Sequence, residues 1–275
     1  MTPSPSDIAA RRRAFRELHA AGCFVIPNPW DAGSARYLAS LGFRALASTS
    51  SGFAWTQAHA DGAMSRDAVL AHLREIVAAT DLPVNADFES GYGADAPAVG
   101  ESVRMAVATG VAGLSIEDST GDAARPIHDL PTAVARLRAA RAAIDEAGGD
   151  TLLVGRAENY LHGRPDLADT LARLRAFAQA GADCLYAPGI RSRGDIAAVV
   201  AAVAPKPVNL LVGSASELTL VDIAALGVRR VSVGGALARS AWGGFMRAAK
   251  SLAQQGVFDG FAEAASGAEL NALFR

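Results

Sequence analysis

Short runs rich in β-branched and other apolar residues alternate along the chain with longer segments rich in Ala, Leu and Arg. The short runs have the length of strands, and the longer segments have helical character. Strands that alternate with helices predict βαβ units and a parallel sheet. The pattern repeats eight times, and the predicted strands are CFVIPN (23–28), RALAST (44–49), PVNADFE (83–89), VAGLSIED (111–118), TLLVGRAE (151–158), DCLYAPG (183–189), PVNLLVG (207–213) and RVSVGG (230–235).

A glycine ends several predicted helices just before the next strand, as in LGFRALAS, TGVAGLSIED, AGADCLYAPG and LGVRRVSVGG. Glycine is favoured there because it adopts the left-handed C-cap conformation. Eight βα units with short turns, and no GxGxxG motif after the first strand, favour a closed barrel over an open doubly wound sheet. We therefore predict an α/β protein, a (β/α)8 TIM barrel, as a single domain over residues 1–275 with additional N- and C-terminal helices.

The composition narrows the class of partner. The chain has 275 residues, 51% of them hydrophobic, and a formal net charge of -2. So small a net charge argues against nucleic acid or an anionic membrane as the partner. The segment MTPSPSDIAARRRAF lacks an apolar signal-peptide core and no later stretch is apolar for long enough to span a bilayer, so we expect a cytoplasmic protein. Cys23 and Cys184 lie in apolar runs and are predicted to be reduced, buried thiols.

Polar side chains collect at the C-terminal ends of the predicted strands, where (β/α)8 barrels carry their active sites. In VNADFESGYG, Asp87 and Glu89 are two positions apart and would project from one face of a strand. Their charges repel unless one is protonated, one faces solvent or a cation lies between them. The other polar residues at strand ends or in the loops that follow are Asp61, Glu117, Asp118, Arg156, Glu158 and Asn209.

A group of acids without His or Cys ligands suits a hard cation. Mg²⁺ prefers octahedral oxygen ligands and often takes only one or two direct carboxylates. We predict Asp87 as the direct ligand, with Glu89 and Glu117 in its water shell and Mn²⁺ as a substitute metal. The alternative for each acid is to cap the helix that follows, and we favour it for Asp118 alone.

Three motifs, ADFESGYG (86–93), SIED (115–118) and VGRAE (154–158), carry a resemblance to a known family. With NPWDAGSARYL (28–38), they make the chain similar to the isocitrate lyase and phosphoenolpyruvate mutase superfamily over nearly its whole length. The chain is most similar to the small bacterial barrel members. ADFESGYG resembles the D-x-D-T-G-Y-G strand of that superfamily.

The resemblance implies roles for individual residues. Asp87 would ligate magnesium, Glu89 would replace the family's second Asp, and Glu117 and Asp61 would complete the acidic network. Arg156 matches the Arg that binds a substrate carboxylate, and Asn209 matches a substrate-contacting Asn of the lyase branch. The segment STSSGF places Ser50, Ser51 and Gly52 where the family offers donors to the carboxylate and oxo oxygens of the substrate.

The chain also departs from the family pattern. The lyase branch has a Lys-Lys/Arg-Cys-Gly-His loop after the fourth strand, whereas this chain reads STGDAARPIHDL (119–130), so the usual lyase acid is missing. Pro188 stands where the lyases place a Glu, and the loop Asn of the mutase branch is absent. The loop offers Asp122, Arg125 and His128 as groups that could close over a substrate, with Gly121 as a hinge.

These residues favour a Mg²⁺-dependent lyase that acts on a small 2-oxo or 2-hydroxy dicarboxylate. The metal would stabilise an enolate, which is the shared intermediate of C–C cleavage, decarboxylation and P–C bond chemistry. One alternative is phosphonopyruvate mutase or hydrolase chemistry. Another is a barrel that binds a carboxylate metabolite without turnover, and a phosphate site at Gly234 and Gly235 remains open, although these glycines fit close helix packing better.

The tail from about residue 240 to 275 carries apolar residues at helical spacing, in FMRAAKSLAQQGVF and FAEAASGAELNALF. This is more apolar surface than one covering helix needs. By resemblance, the family exchanges a C-terminal helix between paired barrels and forms dimers of dimers. We predict a homotetramer, or at least a dimer.

Overall fold

The structure is a computed structural model that describes residues 3–275. Within this range eight strands form one sheet, and each lies inside one of the eight predicted runs. The prediction of eight βα units is confirmed, although the strands are shorter than the runs. They are β1 (Phe24–Ile26), β2 (Leu46–Ala47), β3 (Val84–Asp87), β4 (Gly113–Glu117), β5 (Leu152–Arg156), β6 (Cys184–Tyr186), β7 (Val208–Leu211) and β8 (Arg230–Ser232).

Helices surround the sheet, and the first and last elements of the described chain are also helices. Those of residues 3–275 are α1 (Pro5–Ala20), α2 (Ala32–Ser40), α3 (Ser50–Thr56), α4 (Arg66–Ala79), α5 (Ala96–Val107), α6 (Leu130–Glu146), α7 (Leu167–Gln179), α8 (Arg193–Val203), α9 (Leu220–Ala225), α10 (Ala236–Gln255) and α11 (Gly267–Leu273), with a 3₁₀ turn at Asp259–Phe261. Most begin at a Ser, Thr or Asp whose side chain accepts a backbone N–H of the first turn, which satisfies a donor that the helix leaves open.

The strands are parallel and form a nearly closed ring in the order β1-β8-β7-β6-β5-β4-β3-β2. β1 pairs with β8, from Phe24 beside Arg230 to Ile26 beside Ser232. Between β1 and β2 the backbone N–H of Ala47 donates to the carbonyl of Pro27 at 3.0 Å. These pairings confirm the predicted (β/α)8 fold class, and they bring the C-terminal ends of all eight strands to one face.

Helix α1 covers the opposite face of the barrel. Three arginines of the segment ARRRAFR donate to main-chain carbonyls near the C-terminal ends of three helices: Arg11 to Val77, Arg12 to Val107 and Arg16 to Gly149. These carbonyls carry the negative end of each helix dipole, so the guanidinium groups suit them. The side chain of Phe15 in the same helix is fully buried against the barrel.

Helix α10 is the least covered of the long helices. Only Ala238 of its twenty residues is buried, and Trp242, Phe245 and Met246 are exposed. Within residues 3–275 no helix is long and apolar enough to cross a membrane. The two cysteines are free thiols: Cys184 is buried, as the apolar run around it predicts, whereas Cys23 is only half-buried.

Candidate active site

An ionic cluster lies where three neighbouring strands end. Asp87, Glu117 and Arg156 are the last residues of β3, β4 and β5. In the parallel ladder Glu117 lies beside Arg156, and Asp87 lies beside Ser115 of β4. Because parallel strands end at the same rim of the barrel, these three side chains meet there.

The guanidinium of Arg156 lies between the carboxylates. Its Nη1 is 2.6 Å from Asp87 Oδ1, its Nη2 is 3.1 Å from Glu117 Oε2 and its Nε is 2.9 Å from Glu158 Oε1. The exposed fractions of these side chains are 12% for Arg156, 20% for Asp87, 14% for Glu117 and 5% for Glu158. Since a guanidinium has five N–H groups, at least two remain after these contacts.

The cluster holds more negative charge than one arginine neutralises. Burial opposes the charge of Arg156, but the carboxylates of Glu158, Glu117 and Asp87 raise its pKa well above the ordinary value. Burial also raises the pKa of Glu158, and the nearby charge of Glu117 acts in the same direction. Arg156 is shared among three acids and cannot fully compensate each of them, so the cluster favours one added proton or cation.

The aromatic ring of Tyr186 supports Arg156 from the next strand. Tyr186 is the last residue of β6 and lies beside Arg156 in the ladder. The guanidinium carbon is 5.1 Å from the centre of the Tyr186 ring, within range of a cation–π contact. Burial raises the pKa of Tyr186 to about 12, so its hydroxyl stays protonated.

The second oxygen of Asp87 is held by the start of α3. Asp87 Oδ2 accepts the backbone N–H of Ser50 at 3.0 Å, and the N–H of Asp87 donates to Ser48 Oγ at 2.9 Å. Ser51 Oγ lies 3.1 Å from the hydroxyl of Thr49. The segment predicted to offer donors to a substrate therefore lies against Asp87, but the N–H of Ser50 is used by that carboxylate and the N–H of Gly52 donates to Thr49 Oγ1 at 3.3 Å.

Glu89 contacts Tyr92 and is not among the acids that pair with Arg156. The hydroxyl of Tyr92 donates to Glu89 Oε1 at 2.5 Å. Both residues have positive φ, 45° for Glu89 and 50° for Tyr92, which side-chain-bearing residues rarely adopt. Burial raises the pKa of Glu89 to about 7, with contributions from the charges of Asp87 and Glu117.

Helix α6 fixes the turn that carries Glu89 and Tyr92. The guanidinium of Arg136, which is buried, donates to the carbonyls of Ser90 at 2.9 Å and Gly93 at 2.8 Å. A Cβ on Gly93 would lie 2.3 Å from the backbone nitrogen of Val99, so only glycine fits there. Glycine at this position therefore lets the turn pack directly against α5.

Asp61 reaches the same rim from the loop after α3. Partial burial raises the pKa of its carboxyl, and the charge of Asp87 adds to this effect. The side chain is nevertheless exposed to solvent. Asp61 is thus an accessible acid beside the cluster.

A short antiparallel bridge joins the two ends of the loop between β4 and α6. Ser119 and Ile127 form an antiparallel bridge, and the hydroxyl of Ser119 donates to Glu117 Oε1 at 2.5 Å. The tip is exposed: Arg125 is 87% exposed and its Nε lies 3.6 Å from Asp122 Oδ2. Arg125 therefore lies outside the ionic cluster in this structure.

The expectation that Asp118 caps a helix is wrong. Helix α6 is capped by Asp129 instead. Asp118 is buried, accepts the backbone N–H of Glu158 at 2.8 Å and pairs with Arg173 of α7 at 3.0 Å. Arg173 also donates to the carbonyl of His128 at 2.9 Å, so this pair ties both ends of the loop to α7.

Asn209 lies deeper than the other predicted residues. It is the second residue of β7 and is fully buried. Its amide nitrogen donates to Ser232 Oγ at 2.9 Å, and its oxygen accepts from Arg230 Nε at 2.8 Å. Asn209 thus belongs to a polar layer inside the barrel, below the open rim.

Several residues of the site carry no signal that singled them out in the sequence. Tyr186 stands in an apolar run, and Ser48 and Ser119 are ordinary serines of strand ends. Tyr92 is part of the motif ADFESGYG, but its bond to Glu89 depends on the turn. The position of Tyr186 at the end of β6, matching Arg156 at the end of β5, is the one signal that could have identified it.

A cavity of about 820 Å³ adjoins the cluster on the side of β6, β7 and β8. Ser51 and Asp61 line its edge towards Asp87, and Leu211 and Gly235 line its far side. A Cβ on Gly235 would lie 2.7 Å from Ser51 Oγ. Close packing, the favoured explanation for this glycine, is confirmed, and Asn28 already accepts the N–H groups of Val233 and Gly234 at 2.9 Å.

The donor set fits a hard divalent cation in its chemistry. Among residues 3–275, no three His, Cys, Asp or Glu side chains are arranged as a ready ligand set. Arg156 lies between Asp87 and Glu117, and Glu89 turns to Tyr92. The rim nevertheless holds more carboxylates than one arginine can neutralise. The pKa values of Glu89 and Asp61 are raised, as expected for acids that lack a counter-charge.

Comparison with known proteins places the chain in a family. The family model described as phosphoenolpyruvate phosphomutase matches residues 15–253. Oxaloacetate decarboxylase of Paraburkholderia xenovorans (strain LB400) is 31% identical over 230 residues, which are 80% of this chain and 74% of that protein.

Two solved structures extend the likeness. A Burkholderia cenocepacia J2315 protein, provisionally called a lyase/mutase, superposes with a TM-score of 0.94 at 50% identity, covering 98% of this chain and 97% of its own. The 2,3-dimethylmalate lyase of the PEP mutase/isocitrate lyase superfamily superposes with a TM-score of 0.85 at 26% identity, covering 99% and 95% of the two chains.

The chain belongs to the phosphoenolpyruvate phosphomutase family, within the isocitrate lyase and PEP mutase superfamily. The predicted family and the predicted class of enzyme, a lyase of this superfamily, are confirmed. Superfamily members use a divalent metal. These comparisons favour an enzyme over a barrel that only binds a metabolite.

Proposed function

We propose that this lyase is Mg²⁺-dependent, with Mn²⁺ as a substitute, and acts on a 2-oxo or 2-hydroxy carboxylate. The observation that carries the proposal is the cluster in which Asp87, Glu117 and Glu158 surround Arg156 at the rim of the barrel. It combines oxygen donors for a hard cation with a guanidinium that fits a carboxylate. The relative named oxaloacetate decarboxylase supports a small 2-oxo dicarboxylate as the substrate.

Asp87, Glu117 and Glu89 are the residues that would hold the metal. When bound, Mg²⁺ supplies positive charge that stabilises an enolate of the substrate. Arg156 orients a substrate carboxylate with its remaining N–H groups. Ser50 and Ser51 add hydroxyl groups beside Asp87, which would fix the substrate relative to the cluster. A role of Gly52 as a donor requires that its N–H leaves Thr49 Oγ1, to which it donates at 3.3 Å.

We assign proton transfer to Asp61, an acid whose protonated form the site stabilises. Asp61 has a raised pKa and borders both the cluster and the cavity, so its carboxyl can hold a proton next to a bound substrate. Arg125 would contribute charge only after the loop between β4 and α6 moves inward. Asn209 would act from below the rim by holding Ser232 and Arg230 in place.

A second function, phosphonopyruvate mutase or hydrolase chemistry, is supported by the description of the matching family model. The same carboxylates and Arg156 suit a substrate that carries a carboxylate and a phosphonate. The two functions differ in the bond that is broken, so a single panel of substrates separates them.

For assembly, we propose a homodimer or a homotetramer that uses α10. The support is the exposed apolar side chains of Trp242, Phe245 and Met246 on a long helix with one buried residue. For location, we propose the cytoplasm, where the free thiols of Cys23 and Cys184 would stay reduced. No nucleic acid or membrane partner is proposed.

The test is a panel of oxaloacetate, isocitrate, methylisocitrate and phosphonopyruvate, assayed with Mg²⁺ and with EDTA. Turnover of a 2-oxo or 2-hydroxy acid that stops in EDTA is the expected result. Asp87→Ala should lose this turnover and remain folded. Asp183→Ala is the matched control, because Asp183 also pairs with an arginine, at 3.1 Å, and accepts a backbone N–H at 2.8 Å. Full activity of Asp87→Ala in EDTA would exclude the metal assignment.

A further inference from the structure

The cavity beside the ionic cluster is large for a four-carbon acid. Its volume is about 820 Å³. This lies in the upper part of the range of roughly 300 to 1,000 Å³ that is typical of sites for drug-sized ligands. A substrate held only beside Asp87 and Arg156 would leave most of this cavity to water.

The floor of the cavity and part of its walls are apolar, whereas Ser214 and Ser216 add polar groups on the side open to solvent. Ile190 and Leu210 are buried in the floor, and Leu211, Val212 and Leu218 are half-buried. Contact with such side chains favours apolar groups, because both surfaces then leave water.

The charged residues at the rim of the cavity, Arg191, Arg193, Glu217 and Arg239, are exposed, and two of them have partners. Arg193 pairs with Asp222 at 2.9 Å, and Arg239 donates to the carbonyl of Gly213. Arg193 and Arg239 are therefore already engaged, and the charges of Arg191 and Glu217 at the solvent edge are of opposite sign, so the rim does not define a site for a second anionic group.

The cavity is continuous with the ionic cluster. Ser51 and Asp61, which border Asp87, also line the cavity. On its other side, Leu211 packs against the group of Val154, Cys184 and Tyr186, and the Tyr186 ring lies under the guanidinium of Arg156. An acid held by Arg156 can therefore extend into the cavity along Leu211.

We infer that this cavity binds an apolar substituent of the substrate, so that the preferred substrate class is a 2-oxo or 2-hydroxy acid with an alkyl or aryl group. The inference rests on the proposed function, since it assumes that the acid end of the substrate is held at the ionic cluster. It goes further by assigning the space beyond that cluster to a specific chemical group.

The test measures binding by calorimetry, with Mg²⁺ present, for the straight-chain 2-oxo acids from pyruvate to 2-oxooctanoate. Affinity should rise about threefold to fourfold for each methylene that becomes buried in the cavity. Affinity that stays flat with chain length would overturn the inference, as would an absence of binding for all of these acids.

Two variants locate the effect in the cavity. Gly213→Val adds side-chain atoms to the cavity; a Cβ there meets Leu211 at an ordinary distance of 3.6 Å, so the backbone tolerates it. Gly213→Val should weaken the binding of 2-oxooctanoate tenfold or more and change the affinity for pyruvate by less than twofold. Leu218→Asn replaces an apolar wall by a polar one of similar size and should flatten the chain-length dependence. Gly194→Val, on the exposed first turn of α8, is the control and should bind the whole series as the wild type does.

Turnover separates this inference from the proposed function. Binding that strengthens with chain length, without turnover of any acid in the panel, would keep the apolar site and reject the lyase reaction. Turnover of oxaloacetate with flat binding across the series would keep the lyase and reject the apolar site.

Discussion

Replacement of Arg156 by Lys tests whether this residue holds a substrate or only balances charge. Lys keeps the positive charge but presents one ammonium in place of a planar fork. Arg156 reaches three carboxylates with three different nitrogens, at 2.6, 3.1 and 2.9 Å. An ammonium can replace about one of these contacts, so about two charged contacts are lost.

The size of the effect follows from these contacts. Each charge-assisted hydrogen bond contributes about 1.5 to 3 kcal/mol, which gives a gross loss of about 3 to 6 kcal/mol. Solvent screens the cluster little, because its side chains are 5% to 20% exposed, but protonation of Glu158 offsets part of the loss. If Arg156 also binds the substrate, we expect kcat/KM to fall by the equivalent of about 2 to 5 kcal/mol, or about 30-fold to several thousandfold.

The assay compares kcat/KM and the melting temperature of Arg156→Lys with those of Arg141→Lys. Arg141 is the matched control: it is 16% exposed and pairs with Asp145 at 2.7 Å and Asp183 at 3.1 Å, on helix α6 away from the rim. Both variants should lose stability, but only Arg156→Lys should lose kcat/KM. If the two variants kept the same kcat/KM, Arg156 would be a structural counter-charge and the substrate role would be refuted.

Three further outcomes are expected. Burial raises the pKa of Glu89 from 4.5 to about 7 in the metal-free protein, so the unfolded chain releases this proton first and stability should fall as pH rises from about 4.5 to 7. Glu89→Gln should reduce that fall in melting temperature, and equal slopes would contradict the assignment. Light scattering at micromolar concentration should give a dimer or tetramer that Phe245→Asp weakens, whereas a monomeric wild type would contradict the role of α10. Gly93→Ala should cost about 1 to 3 kcal/mol in urea unfolding because its Cβ meets the backbone of Val99 at 2.3 Å, and a cost no larger than that of Gly194→Ala would refute this overlap.

The strands and their order could be predicted because the apolar runs, the helical segments and the glycines that end them repeat in register along the chain. The acids at the strand ends could also be located, because parallel strands place their C-terminal residues on one face. Asp87, Glu117 and Arg156 meet there since each is the final residue of its strand. For these three residues, the position at the end of a strand is enough to predict that they meet at the rim.

Other features depend on distances that the sequence does not contain. Asn209 stands two residues before the end of β7, so it faces the barrel interior and not the rim. Asp118 follows β4 directly, yet the chain continues for eleven residues before α6 begins, and a different acid caps that helix. The insertion of Arg156 between Asp87 and Glu117 depends on the register of three strands and on which acids lack another partner.

Because of the contacts of α1, the two faces of the barrel differ in how they tolerate amino-acid substitution. At the face covered by α1, the arginines bind main-chain carbonyls of Val77, Val107 and Gly149. Every residue type supplies a carbonyl, so substitution at these positions leaves each acceptor in place, and divergence is limited by packing and, at Gly149, by a φ of 75° that favours glycine. At the opposite rim the partners of Arg156 are side-chain carboxylates, each of which a single substitution removes. Related chains could therefore vary widely beneath α1 while keeping its arginines, which would let the lower face drift in sequence without losing the helix that closes it.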